Sequence, residues 1–100
     1  MITKQPSPNP GKVLVRFEVP ASIWAESIYL VGDFNDWDQR AHPLTKSRNG
    51  DAAWHITLEL DAGREYQFRY LVDGQEWHND WQADAYVPNP FGGDNSVVRT

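Results

Sequence analysis

The chain holds 5 tryptophans in 100 residues, and those that strand alternation does not bury carry the most information. Trp37 lies in the loop sequence Asp33-Phe34-Asn35-Asp36-Trp37-Asp38. Trp77 follows the turn pair Asp73-Gly74, and Trp81 comes four residues later. Arg69 falls on the outward side of the strand between the first two. A rigid indole suits stacking on an apolar ligand face, while nearby polar side chains hold the rim. A sugar ring offers such a face together with a rim of hydroxyls, and Arg or Asn gives paired donors, or a donor and an acceptor, to neighbouring hydroxyls. Aromatic platforms of this kind contribute roughly 1–3 kcal/mol per stacked ring and tolerate varied partners. One loop tryptophan alone plugs the end of a fold as readily as it binds. Several, grouped with Arg69, weight the reading toward a ligand surface.

Other chemistries find less support. Glycoside hydrolysis needs two carboxylates flanking one bond. Asp33, Asp36, Asp38, Asp80, Asp84 and Asp94 sit in turn contexts, where Asp bends or caps the backbone, and nothing pairs two of them. There is no G-x-S-x-G sequence, and the histidines are scattered. His78 and Asp80 are neighbours without a third metal ligand at a recognised spacing. Gly92-Gly93 lacks the lysine and helix of a phosphate loop. With no cysteine, thiolate ligands and nucleophiles are excluded. The expectation is no catalytic residue, no metal and no cofactor.

The elements that must position these residues have period two nearly throughout. Val13, Val15, Phe17 and Val19 alternate with Leu14, Arg16 and Glu18, and Pro20 ends that strand. Residues 28–31 read as a strand apolar on both faces, stopped by Gly32, and 33–42 as a loop. A short strand opens near Leu44 and leads to Asn49-Gly50, a type I′ hairpin signal. Trp54, Ile56, Leu58 and Leu60 then share an inner face, opposite His55, Thr57 and Glu59. Tyr66, Phe68, Tyr70 and Val72 share the next inner face, with Gln67 and Arg69 outward. Asp73-Gly74 turns the chain toward Trp77, residues 78–95 read as a long functional loop, and 96–99 close with a short strand. Trp54 is expected in the core; Trp24 and Trp81 are open between core and surface. Short strands, turn signals and no convincing helix predict an all-β antiparallel sandwich.

Composition bounds the rest. The length fits one domain. Residues 1–11, with Pro6, Pro8 and Pro10, read as a flexible lead-in, and 12–100 as the folded domain. Hydrophobic residues at 40% are too many for a disordered chain. The net charge of −5, without a basic cluster, disfavours nucleic acid. No apolar run approaches a membrane span or a secretory signal, so a cytoplasmic location is expected.

Gly32-Asp33-Phe34-Asn35-Asp36-Trp37, the stretch from Tyr66 through Val72-Asp73-Gly74, and Asn95 together resemble family 48 carbohydrate-binding modules. These are the isoamylase early domains that precede glycogen-branching and debranching enzymes, and the glycogen-binding domain of the AMP-activated protein kinase beta subunit. The segments 79–84 and 88–98 are also similar to small stand-alone bacterial proteins of the same early set. The resemblance spans about residues 12–100 and is specific only as a combined motif.

That resemblance implies an immunoglobulin-like β-sandwich that binds α-1,4-glucan. The two stacking tryptophans of the kinase-subunit module fall on Trp37 and Trp77. Its strand lysine falls on Arg69, which keeps the charge but changes the donor geometry. Its aliphatic residue that pierces the coiled glucan falls on Phe91, and its hydroxyl-binding asparagine on Asn95. Glu76 is an extra residue before Trp77, and Trp81 replaces a frequent proline. Retention of the stacking residues, which debranching-enzyme modules often lose, favours sugar binding. The leading expectation is non-catalytic binding of glycogen, starch or maltooligosaccharide, with a glycogen-metabolising enzyme as a candidate partner. The alternatives are a small hydrolase similar to glycoside hydrolase family 13, and a protein-interaction module.

Overall fold

Alternating apolar residues require a surface to bury them, and two sheets facing each other supply it. The computed structural model describes residues 2–20, 22–23, 25–46, 53–90 and 92–100. Asn49-Gly50, Trp24 and Phe91 therefore lie outside the described residues. The strands are β1 (Ile2–Pro6), β2 (Lys12–Val19), β3 (Ile28–Gly32), β4 (Thr45–Lys46), β5 (Trp54–Asp61), β6 (Glu65–Val72), β7 (Glu76–His78), β8 (Ala85–Pro88) and β9 (Asp94–Arg99). One sheet has the order β1-β2-β5-β4. The other has the order β3-β6-β9-β8, with β7 also paired to β6. Every strand pair is antiparallel. Among the described residues there is no α-helix, and hence none long and apolar enough to cross a membrane.

The register places the expected inner faces opposite one another. Val15 pairs with Leu58, Phe17 with Ile56 and Val19 with Trp54, so one set of side chains from β2 and β5 points inward. Phe17, Leu30, Phe68, Tyr70 and Val98 are fully buried in the resulting core. Phe68 meets Phe17 edge-on at 5.1 Å and Tyr70 at 5.7 Å, the tilted geometry that the ring quadrupole favours. Each such side chain contributes about 1.5–3 kcal/mol by burial. Trp54 is in this core, as its parity with Ile56 predicts.

Two expectations are corrected. The expected flexible lead-in over 1–11 instead holds a strand at residues 2–6: β1 pairs with β2 from Ile2↔Phe17 to Pro6↔Val13. Ile2 packs against the core, and β1 is an edge strand, where a proline without an N–H is tolerated. Ser7 Oγ and Asn9 Nδ2 donate to Glu59 at 2.7 and 2.9 Å and anchor the following turn. Residues 78–95 are likewise not one long loop. They hold the end of β7 and all of β8, which pairs with β9 from Ala85↔Val97 to Pro88↔Asp94.

A buried polar hub replaces what would otherwise be a loose end. Tyr70 Oη donates to Asp80 Oδ2 at 2.7 Å, Asp80 N–H donates to Ser96 Oγ at 2.9 Å, and Tyr86 Oη donates to the Asp80 carbonyl at 2.6 Å. Burial, and then the charge of Asp80, push the Tyr70 phenol well above its usual range. The unfolded chain releases that proton near the ordinary tyrosine pKa of ~10, before the folded chain does. The stabilisation is therefore complete below about pH 10 and is lost as pH rises further. Urea titrations from pH 8 to 11 should show stability falling above pH 10, and Tyr70→Phe should flatten part of that fall.

Gly32 ends β3 with extended backbone and is required by close approach. A Cβ there would stand 2.5 Å from the Gln67 carbonyl oxygen and 2.8 Å from Phe68 Cβ. Strand β6 would have to move, so Gly32→Ala should cost about 1–3 kcal/mol in chemical denaturation.

Candidate functional site

The second sheet is apolar on its outward side as well. Val31 on β3, Leu71 on β6 and Val97 on β9 are buried although they lie opposite the core positions. The loop that follows Gly32 carries the first part of the site. It opens with a 3₁₀ turn, Asp33–Asn35. Asn35 holds this turn: its Oδ1 accepts from Gly32 N–H at 3.1 Å and its Nδ2 donates to the Leu30 carbonyl at 3.0 Å. Asp36 and Trp37 then adopt left-handed backbone, with φ of 55° and 58°. For a bulky residue such as Trp this is an unfavourable conformation, and each such residue costs about 1–3 kcal/mol.

Three bonds hold Trp37 there. Its N–H donates to the Gly32 carbonyl at 2.9 Å, and Asp38 N–H donates to the Asn35 carbonyl at 3.1 Å. The indole Nε1–H donates to Asp33 Oδ1 at 2.9 Å. The other oxygen of Asp33 accepts from Gln67 N–H on β6 at 2.8 Å. One carboxylate thus ties the indole to the sheet.

The opposite wall comes from β9 and the turn before it. Asn95 Nδ2 donates to Gln67 Oε1 at 3.1 Å, and Asn89 Nδ2 donates to Asn95 Oδ1 at 3.3 Å. Asn89 Oδ1 accepts from Gly93 N–H at 3.3 Å. Between the walls, the Arg69 guanidinium lies over the Trp77 ring, 5.8 Å from its centroid. Arg69 Nε is buried with no hydrogen-bond partner.

These groups line one cavity of about 640 Å³, within the range of small-ligand sites. Trp37, Arg69, Trp77 and Asn95 all face it, together with Asn89 and Pro90. Trp37 is half-buried, Trp77 is 37% exposed, and Asn95 is 9% exposed with both ends of its amide engaged. Phe91 lies outside the described residues, directly after the cavity-lining Pro90. Trp81 is 53% exposed and does not line the cavity, so it neither plugs the sandwich nor joins this platform.

Sequence reading missed Asp33, Gln67 and Asn89. The parity that sets Arg69 outward also sets Gln67 outward, and Asp33 stands four residues before Trp37. The other loop carboxylates serve the backbone. Asp73 Oδ1 accepts from Glu26 and Ser27 N–H, Asp38 Oδ1 from Arg40 N–H, and Asp84 Oδ2 from Arg99 N–H. Among the described residues, no cluster of His, Asp and Glu could hold a metal ion.

The family model for carbohydrate-binding module 48, the isoamylase N-terminal domain, matches residues 9–87. The 5'-AMP-activated protein kinase subunit beta-1 of Sus scrofa is 36% identical over 74 residues, covering 74% of this chain and 54% of that subunit. The 1,4-alpha-glucan branching enzymes GlgB of Thiobacillus denitrificans and Aquifex aeolicus are 32% and 35% identical, each over 70% of this chain. The chain spans about half of the kinase subunit, and 10% and 11% of the two branching enzymes. Asn89, Pro90 and Asn95 lie beyond the matched segment.

Asp33→Ala removes the acceptor for both the indole and the Gln67 amide. It should lower stability by about 1–3 kcal/mol and weaken the near-ultraviolet circular dichroism of tryptophan. Asp33→Asn keeps one acceptor oxygen and should recover part of both signals.

Proposed function

Because the chain belongs to the carbohydrate-binding module 48 family, we propose that it binds α-1,4-glucan, without catalysis, in the cavity between Trp37 and Trp77. The observation that carries this reading is the single cavity lined by Trp37, Arg69, Trp77 and Asn95. Two indoles on one surface match the apolar faces of successive glucose rings. The Arg69 guanidinium, with an unpartnered buried Nε, offers donors to the hydroxyl rim. Asn95 Nδ2 keeps one hydrogen after bonding Gln67, and Asn89 stands beside it. We also assign Phe91 to glucan binding, on its place in the family motif.

Asp33, the carboxylate that lines the cavity, is engaged by the Trp37 indole and the Gln67 N–H, and Asp38 and Asp84 accept from backbone N–H groups, which supports binding over catalysis. Two of the relatives, of which this chain matches about a tenth of the length, are 1,4-alpha-glucan branching enzymes. We therefore assign to this chain a role beside an enzyme of glucan metabolism, holding the polymer close.

Titration with maltoheptaose, followed by tryptophan fluorescence, tests the reading. Trp77→Ala should weaken binding roughly 5–100-fold, the equivalent of one lost stack. Its melting temperature should barely change, since the ring is largely outside the core. No response of the wild-type chain up to millimolar sugar would overturn the proposal.

A further inference from the structure

A second cavity, of about 480 Å³, opens on the same face of the same sheet. It is lined by Tyr29, Gln39, Arg40, Leu71, Asp73 and Gly74. The two cavities are adjacent by register. On β3 and β6 the pair Val31↔Arg69 is followed by Tyr29↔Leu71, and Leu71 also pairs with Trp77 on β7. Arg69 and Trp77 line the first cavity, and Leu71 lines the second. The step from Arg69 to Leu71 is about 7 Å at the strand rise. The loop that sets Trp37 in the first cavity continues to Gln39 and Arg40 in the second. Neither Gln39 nor Arg40 lines the first.

We infer that this groove is a second carbohydrate subsite, so that a long α-glucan chain occupies both cavities in succession; the inference rests on the glucan-binding reading. The lining is more polar than that of the first site but again combines an aromatic ring with amide and guanidinium groups. Tyr29 and buried Leu71 give an apolar floor, and Gln39 and Arg40 give exposed amide and guanidinium groups. Arg40 and Asp73 carry opposite charges, which suits a neutral polyol better than an anion or a cation. The groove is also held in shape from both sides. Asp73 Oδ1 accepts two backbone N–H groups at 2.8 and 3.0 Å, and Arg40 N–H donates to Asp38 Oδ1 at 2.9 Å. A pre-formed surface loses less ordering entropy when a flexible polysaccharide settles on it.

The test compares maltotriose with maltoheptaose on the full chain and on the double variant Gln39→Ala/Arg40→Ala, with near-ultraviolet circular dichroism to establish the fold. For the variant, maltoheptaose affinity should fall roughly 3–10-fold, while maltotriose affinity stays within about twofold of wild type. An unchanged maltoheptaose affinity overturns the second subsite and leaves the first intact. Equal losses for both sugars also overturn it, because the variant then acts through the first site. A wild-type chain that binds neither sugar removes the glucan reading itself, and the subsite with it.

Discussion

The Asp33 carboxylate is the constraint on which the site depends. One oxygen accepts the Trp37 indole N–H and the other accepts a backbone N–H of the central strand β6. A loop tryptophan with left-handed backbone would otherwise be an unstable place for a binding platform. The bond to the indole holds the ring, and the bond to Gln67 fixes Asp33 against the sheet. The same residue, Gln67, then carries the order onward through its side chain to Asn95 and Asn89. Both walls of the cavity are thus referred to one position on β6. A conformation that costs energy and is tied down from several directions is characteristic of a site where placement matters more than stability.

The sandwich makes this possible because its second sheet is buried twice. On the inner face, Phe68 and Tyr70 join Phe17 and Leu30 in the core. On the outer face, Val31, Leu71 and Val97 are nearly as inaccessible. Apolar residues beneath a site exclude water from its floor and strengthen the polar contacts above them. The Arg69 guanidinium profits from this. It lies over the Trp77 ring, with its Nε withdrawn from solvent.

Much of this arrangement was legible in the residues. Alternation in β2, β5 and β6 placed Phe17, Trp54, Phe68 and Tyr70 inside and Arg69 outside, because a strand's side-chain period leaves little freedom. The loop tryptophans stood out because nothing in the pattern buried them. Strand β8 was not legible: it is short, ends at Pro88, and acquires its partner β9 only through tertiary pairing. Strand β1 is hidden by Pro6 and by Pro8 and Pro10 after it, a run that reads as loop until Pro6 is seen at the last paired position of an edge strand. In sequence, Asp80 reads as a turn residue beside His78. Its role as a buried hub depends on Tyr70, Ser96 and Tyr86, which sequence distance does not connect.

The Asp80 hub also bears on the site, though none of its atoms line the cavity. Tyr70 and Ser96 project inward from β6 and β9, the strands whose outward residues are Arg69 and Asn95. Because side chains alternate across a strand, locking Tyr70 and Ser96 on one face fixes the register of their neighbours on the other. A one-residue slip of β9 would replace Asn95 with Ser96 at the cavity and bring an apolar valine against Asp80. Such a slip would take the Ser96 acceptor away from the buried Asp80 N–H, a loss of about 1–3 kcal/mol. The polar hub on the inner side thereby specifies which residues meet the ligand on the outer side.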